Sequence, residues 1–320
     1  MSIGFENYKL ADDKESVKIA PTSQQTDCAA NKLIRPYQGM VAWPTVVMGF
    51  AVAASFITVI TLGTLGIIPL WVGLILNSLV LYAAQTPLHE ACHGNIAGRD
   101  GSKMWLNHLI GYLCGLVLMH EYKAFRHLHL AHHRDTNDEV LDPDHWVKVD
   151  NPWLAFFRCA TIVFYYNHFF FKTVIFQVQD PAKRKLALHV IAAFWAIYAV
   201  IFWVAVMGFW REVLMLWLLP HYIASALIIY FFAYLVHQPH QETDRYRDTN
   251  LFLFKGWLSK IVTWAYCYQN YHLIHHLYPR IPFYLYPEAF TDVRPLLEEE
   301  HSPIIEIEAR QPGLSAQSAE

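Results

Sequence analysis

Four apolar runs, at residues 40–62, 65–88, 186–209 and 213–236, divide the chain. Each is at or near the ~20 residues that a helix needs to cross a bilayer. None of them carries Asp, Glu, Lys or Arg, and they fall into two pairs. The links within the pairs are very short, near Gly63-Thr64 and Trp210-Arg211-Glu212. The pattern predicts two tight helical hairpins, each returning the chain to the side on which it began. Two further apolar stretches, 104–119 and 153–171, are broken by Asn107, His108, Arg158, Asn167 and His168. They read as re-entrant or interfacial helices. The expected fold is an all-α integral membrane protein: four transmembrane helices in two hairpins, interfacial helices and a polar cap. A polar N-terminal tail (1–39) and a polar C-terminal tail (301–320) flank a membrane domain (40–300), and no cleaved signal peptide is expected at the N-terminus.

The hairpins put both termini, residues 89–185 and the C-terminal third on one face. Of the 24 Lys and Arg residues, only Arg211 falls in the loops on the other face. The positive-inside rule therefore makes the shared face cytoplasmic. A net charge of −3 gives no general basic surface, so nucleic acid is not an expected partner. The five cysteines include no CxxC pair and read as buried free thiols. Histidine is the outlier, with 18 residues in 320, which directs attention to metal or proton chemistry.

The histidines are patterned. His89-Glu90-Ala91-Cys92-His93 directly follows the second run, with its two imidazoles at i and i+4. His129, His132 and His133 stand at i, i+3 and i+4, and His272, His275 and His276 repeat that spacing. Both spacings put the side chains on one face of a helix. His237-Gln238-Pro239-His240 lies at the end of the fourth run. One such group is often a solvated helix face, but three on the same side of a membrane point to a polynuclear metal site, since imidazole suits Zn, Cu, Fe and Ni. A zinc protease reading of HEACH, with Glu90 as base, leaves both HxxHH groups unused. A carboxylate di-iron bundle needs paired Glu-x-x-His motifs, and the second match here, Glu298 to His301, opens the polar tail. A metal or proton transporter would place its ionisable groups within the spans, where only His189 and His221 lie.

The three boxes resemble those of the membrane fatty-acid desaturase superfamily, over about residues 40–300. Within it the closest likeness is to β-carotene 3-hydroxylases of desaturase type. That likeness is carried by Asp142-Pro143-Asp144-His145-Trp146, Phe169-Phe170-Phe171-Lys172, Tyr234 to Pro239, and the stretch QNYHLIHHLYPRIPFY from Gln269 to Tyr284, continuing to Arg294-Pro295-Leu296-Leu297. His237-Gln238-Pro239 departs from the expected His-Arg-Pro. The resemblance implies two non-haem irons, O2 as co-substrate and oxidation of an unactivated C–H bond in a hydrophobic membrane substrate. It implies hydroxylation of β-carotene rings at C3, giving zeaxanthin, with acyl-lipid or acyl-CoA desaturation and carotenoid ketolation as alternatives. It also implies His89, His93, His129, His132, His133, His272, His275 and His276 as ligands, with His237 as an additional one and His240 as the competing choice. His127, His145 and His168 have structural or supporting readings. Asp135, Asn137, Asp138 and Asn270 are candidates to orient imidazole N–H groups. No haem, flavin or iron–sulfur motif is visible, so electrons should come from a partner such as ferredoxin, for which Lys123, Arg126 and Arg134 are candidate contacts.

Overall fold

The computed structural model describes residues 21–99, 101–175, 180–257 and 259–308. Helix α1 (Pro21–Ile34) leads to the first hairpin, α2 (Trp43–Thr64) and α3 (Leu70–His93). Their link is longer than expected, because Gly66 takes a φ of 71° and Pro69 is extended, so the helix restarts only at Leu70. At its other end α3 runs on past Leu88 until Gly94 stops it at a φ of 76°. Glycine accepts that left-handed conformation without a Cβ penalty. The extension puts His89 and His93 on the end of a long helix.

Helices α4 (Met104–Val117) and α5 (Tyr122–Arg134) form a second, tighter unit. A Cβ on Gly115 would stand 2.6 Å from the His120 carbonyl oxygen, so only glycine lets the two helices approach this closely. Backbone carbonyls in an apolar layer need donors, and at this turn Trp217 Nε1 donates to Val117 O at 3.0 Å. Helix α6 (Pro152–Phe170) is capped by Asn151, whose side chain accepts from Trp153 N and Leu154 N.

The second long helical path runs from Pro181 to Tyr234. It comprises α7 (Pro181–Val204), a π turn (Ala205–Phe209), α8 (Trp210–Val213), a π turn (Leu214–Leu218), α9 (Leu219–Ile229) and a π turn (Tyr230–Tyr234). Its 54 residues would span about 80 Å if straight. Yet both of its ends meet α5. Ala187 and Val190 pack with Ala124 and Leu128, and the ring of His237, just beyond the other end, lies 4.7 Å from that of His132. The path therefore reverses, at Gly208, whose φ is 103°. The turn comes just before residues 210–212, where the sequence places it, because glycine alone tolerates that angle at little cost. Buried Asn77 in α3 donates to Leu216 O in a π turn at 2.6 Å, tying the two hairpins together.

Among the described residues three stretches are long and apolar enough to cross a membrane: Trp43–Thr64, Leu70–His93 and Pro181–Tyr234. Val47, Ile57, Trp195 and Phe202 on them are each more than 60% exposed, a surface suited to lipid.

The C-terminal cap holds α10 (Ser259–Ala265), α11 (His272–Leu277) and α12 (Tyr286–Glu299). It corrects the all-α expectation in one detail: β1 (Leu251–Lys255) pairs in parallel with β2 (Ile304–Glu308), in the register Leu251 to Ile304. It also absorbs parts of both expected tails. Ala30 and Ile34 of α1 join Leu273, Phe290 and Val293 in one buried cluster, because they present an apolar face that the polar composition of the segment hides. Residues 1–20 and 309–320 of those tails lie outside the described residues.

Candidate metal centre

The nine histidines named as ligands come together in two groups. His89, His93, His129, His133 and His275 form one, and His132, His237, His272 and His276 the other, with a ring nitrogen of each within 4.8 Å of the rest of its group. The end of α3 supplies two, one face of α5 supplies three, α11 supplies three, and the turn after Tyr234 supplies His237. Helix α5 can serve both groups because His129 and His133 are one turn apart, while His132 is turned toward the second group.

The Nε2 atoms converge. His93 to His129 is 2.7 Å, His129 to His133 is 3.1 Å, and His133 to His275 is 2.9 Å. In the second group His237 Nε2 and His272 Nε2 are 3.1 Å apart. Metal–imidazole bonds of about 2.0–2.1 Å give N···N edges of about 3 Å, so the donor set has the right size for a transition-metal ion in each group. His276 Nε2 is buried without a partner, the kind of orphaned atom that a cation would satisfy.

Side chains on the other ring nitrogens fix the tautomers. His132 Nδ1 donates to Asp142 Oδ1 at 2.8 Å, His272 Nδ1 to Gln269 Oε1 at 3.0 Å, and His275 Nδ1 to the Tyr286 hydroxyl oxygen at 2.9 Å. His276 Nδ1 is 3.4 Å from Thr136 Oγ1. Such partners orient a ligating imidazole and raise its basicity. Burial, reinforced by neighbouring imidazoles, holds His129, His133, His237, His272, His275 and His276 well below the usual histidine range, in the neutral form that binds metal. At His132 burial also pulls downward, but Asp142 and Asp144 outweigh it and lift the group to about 9. The same carboxylates favour a cation at its Nε2.

These orienting residues are not those expected. Asp135 pairs with Arg134, Asp138 caps the backbone of Val140 and Leu141, and Asn270 donates to Phe252 O. Asn137 reaches the network only through its backbone N–H, which donates to Asp142 Oδ2 at 2.7 Å. The available signals were Gln269, three positions before His272, and the acidic pair Asp142 and Asp144. His240 lies outside both groups, with Nε2 donating to Tyr234 O at 3.1 Å. His127 packs on Phe170, and His145 and His168 also lie outside the groups. Glu90 points away from the metal groups. It accepts from Thr45 Oγ1 at 2.6 Å, Phe283 N at 2.7 Å and Asn95 Nδ2 at 3.4 Å. It thus clamps α2 and the segment after α11 to α3, and is not placed to act as a protease base.

The family profile described as fatty acid desaturase matches residues 65–308. The chain belongs to the fatty acid desaturase family. This desaturase-family chain is 26% identical over 278 residues to an sn-1 oleoyl-lipid 12-desaturase of Synechocystis sp., covering 76% of the chain and 73% of that enzyme. It is 24% identical to a Delta(9) fatty acid conjugase-like enzyme of Dimorphotheca sinuata (65% and 64%) and 24% identical to a dihydrorhizobitoxine desaturase of Bradyrhizobium elkanii (64% and 62%). The chain thus spans less than two thirds of the length of the last two. Membership makes it an oxidoreductase, of a family whose typical centre is di-iron, and with its long apolar helices a membrane protein. The superfamily resemblance holds. The finer likeness to β-carotene hydroxylases is not supported by these relatives, two of which are named for fatty acyl substrates.

An apolar pocket opens onto the centre of this desaturase-family fold. Phe125, Leu128, Ile228 and Phe232 wall it, Gln85, Thr86 and Tyr166 add polar groups, and His89, His129, His132 and His272 form its floor. The Tyr166 hydroxyl donates to Asp144, which also faces the pocket.

Proposed function

We propose that the protein desaturates an acyl chain of a membrane lipid in an O2-dependent reaction at a di-iron centre. The arrangement that carries this reading is two all-imidazole groups at the floor of an apolar pocket. The five-histidine and four-histidine groups would each hold one iron. When bound, the pair supplies the oxidising power needed to remove hydrogen from an unactivated C–H bond. The overall change is CH–CH plus O2, two electrons and two protons giving C=C and two waters. Asp142, Gln269 and Tyr286 hold imidazole N–H groups so that Nε2 faces the metal. Phe125, Leu128, Ile228 and Phe232 hold the chain and exclude water. The electrons come from a partner such as ferredoxin.

The membrane arrangement belongs to the same proposal: four spans in two hairpins, with both termini and all nine histidines in the cytoplasm, and a catalytic unit of about residues 40–300. The reversal at Gly208 and the position of Arg211 beside it support it.

A second reading, hydroxylation of a carotenoid ring, is favoured by one observation. The stretches that carry that likeness supply Asp142 and Gln269, the residues that orient His132 and His272. Expression in a host that accumulates β-carotene and supplies a ferredoxin system separates the readings. New double bonds in acyl lipids support desaturation. A hydroxyl on the carotenoid ring with unchanged acyl lipids overturns it in favour of the second reading.

A further inference from the structure

We propose that a cationic trough on the polar side of the centre docks an acidic one-electron carrier protein, and that electrons enter through His93. The proposal rests on reading the centre as an iron-dependent oxidase. It adds where the donor binds and which ligand it approaches.

Two recesses share Gln38, Gly39 and Arg99 as common walls. The outer one is edged by Lys32 and Arg35, and the inner one by Arg280. All four of these cations, Lys32, Arg35, Arg99 and Arg280, are exposed. Among the described residues no carboxylate lines either recess. The inner recess ends on His93, the only one of the nine clustered histidines among its lining residues.

Local backbone keeps the trough open. Gly94, Gly98 and Gly101 on one wall all have positive φ, at 76°, 76° and 68°. They let the chain turn sharply beside His93. Gly39 on the other wall faces Arg99, whose Nε would lie 2.8 Å from a Cβ placed there, and Arg99 Nη2 donates to Gln38 O at 3.4 Å. The guanidinium is thus held along the trough.

This opening is separate from the lipid pocket, with which it shares no lining residue. His89 faces the pocket and His93, one turn later on α3, faces the trough. A lipid headgroup has no need to reach a metal ligand, whereas an electron donor does. Two of the three cations around the second histidine box are otherwise engaged. Arg134 is paired with Asp135, and Arg126 Nε donates to Cys92 O at 3.0 Å. Opposite charge accelerates encounter and fixes orientation, and its effect fades with salt.

The test uses the full-length protein in nanodiscs, with a reduced acidic ferredoxin or with dithionite and methyl viologen as electron source. In the variant R99E/R280E, KM for ferredoxin should rise by about tenfold or more at low salt, and its salt dependence should flatten. Viologen-driven turnover and iron content should stay at the wild-type level. An unchanged ferredoxin KM overturns the proposal, as does an equal rise in K123E. Joint loss of iron and viologen-driven turnover in R99E/R280E also overturns it, by making the arginines structural. An effect seen only in nanodiscs containing anionic lipid overturns it in favour of a headgroup site. A wild-type protein that binds no iron, or turns over with neither reductant, refutes the underlying oxidase reading instead.

Discussion

Asp142 organises more of the centre than any other carboxylate near it. It accepts from His132 Nδ1, from the backbone of Asn137 and from the backbone of Asp144, so one side chain fixes a ligand and the turn beside it. Asp142→Asn keeps the shape but removes the charge, and should weaken metal binding by about 10–100-fold, measured as iron retained against a competing chelator. His237 and His240 make a sharper pair. His237→Ala should remove about half of the bound iron and cut turnover by about 100-fold or more, on the scale of losing a group that acts only with its partners. His240→Ala should retain the iron and most of the activity, because its Nε2 faces a backbone carbonyl. Metal analysis beside product formation decides both. The histidines themselves were legible because i, i+3, i+4 spacing survives any tertiary arrangement of the helices. Their orienting partners were not, because Asp142 and Tyr286 reach His132 and His275 through folding of the chain rather than through spacing on one helix.

Helix α5 carries three of the nine imidazoles, and its start depends on Glu121. That side chain accepts from Ala124 N at 2.7 Å and from His189 Nε2 at 3.2 Å, which both caps α5 and ties it to α7. Glu121→Ala should lower thermal stability by about 0.5–2 kcal/mol, the usual range for a lost cap, with a parallel loss of iron affinity, both read from melts with and without metal. Gly115→Ala should be comparably damaging, about 1–3 kcal/mol for forcing an atom into a filled space, because the added methyl meets the backbone oxygen of His120. Element existence was readable from the apolar runs. The boundaries were not. The start of α3 was set by Pro69 and its end by Gly94, and the reversal of the second hairpin by Gly208, single residues whose conformations override the surrounding hydropathy.

At the scale of the molecule, an apolar pocket and a cationic trough approach neighbouring turns of the same helix from separate openings. The arrangement needs residues 89–185 and the C-terminal cap on one side of the membrane. Single cysteines placed at Asp138 and Pro279 should therefore both react with an impermeant thiol reagent from the cytoplasmic side and from that side alone. Reaction of either from the outside would refute the shared face. The docking of α1 onto the C-terminal cap was beyond the reach of composition, since Ala30 and Ile34 sit in an otherwise polar segment and show their purpose only against Leu273 and Phe290.

Glu90 gives this architecture an order in time. It sits on α3, made early, and one of its donors is the backbone of Phe283, made 193 positions later. A growing chain that has not reached that point also lacks His272, His275 and His276, so neither group is complete. The two groups therefore close late in synthesis, as the segment after α11 docks on a carboxylate of α3 that is already in place. The proposed metal would then enter only after the cap has been made, and a cell starved of iron should accumulate full-length apoprotein.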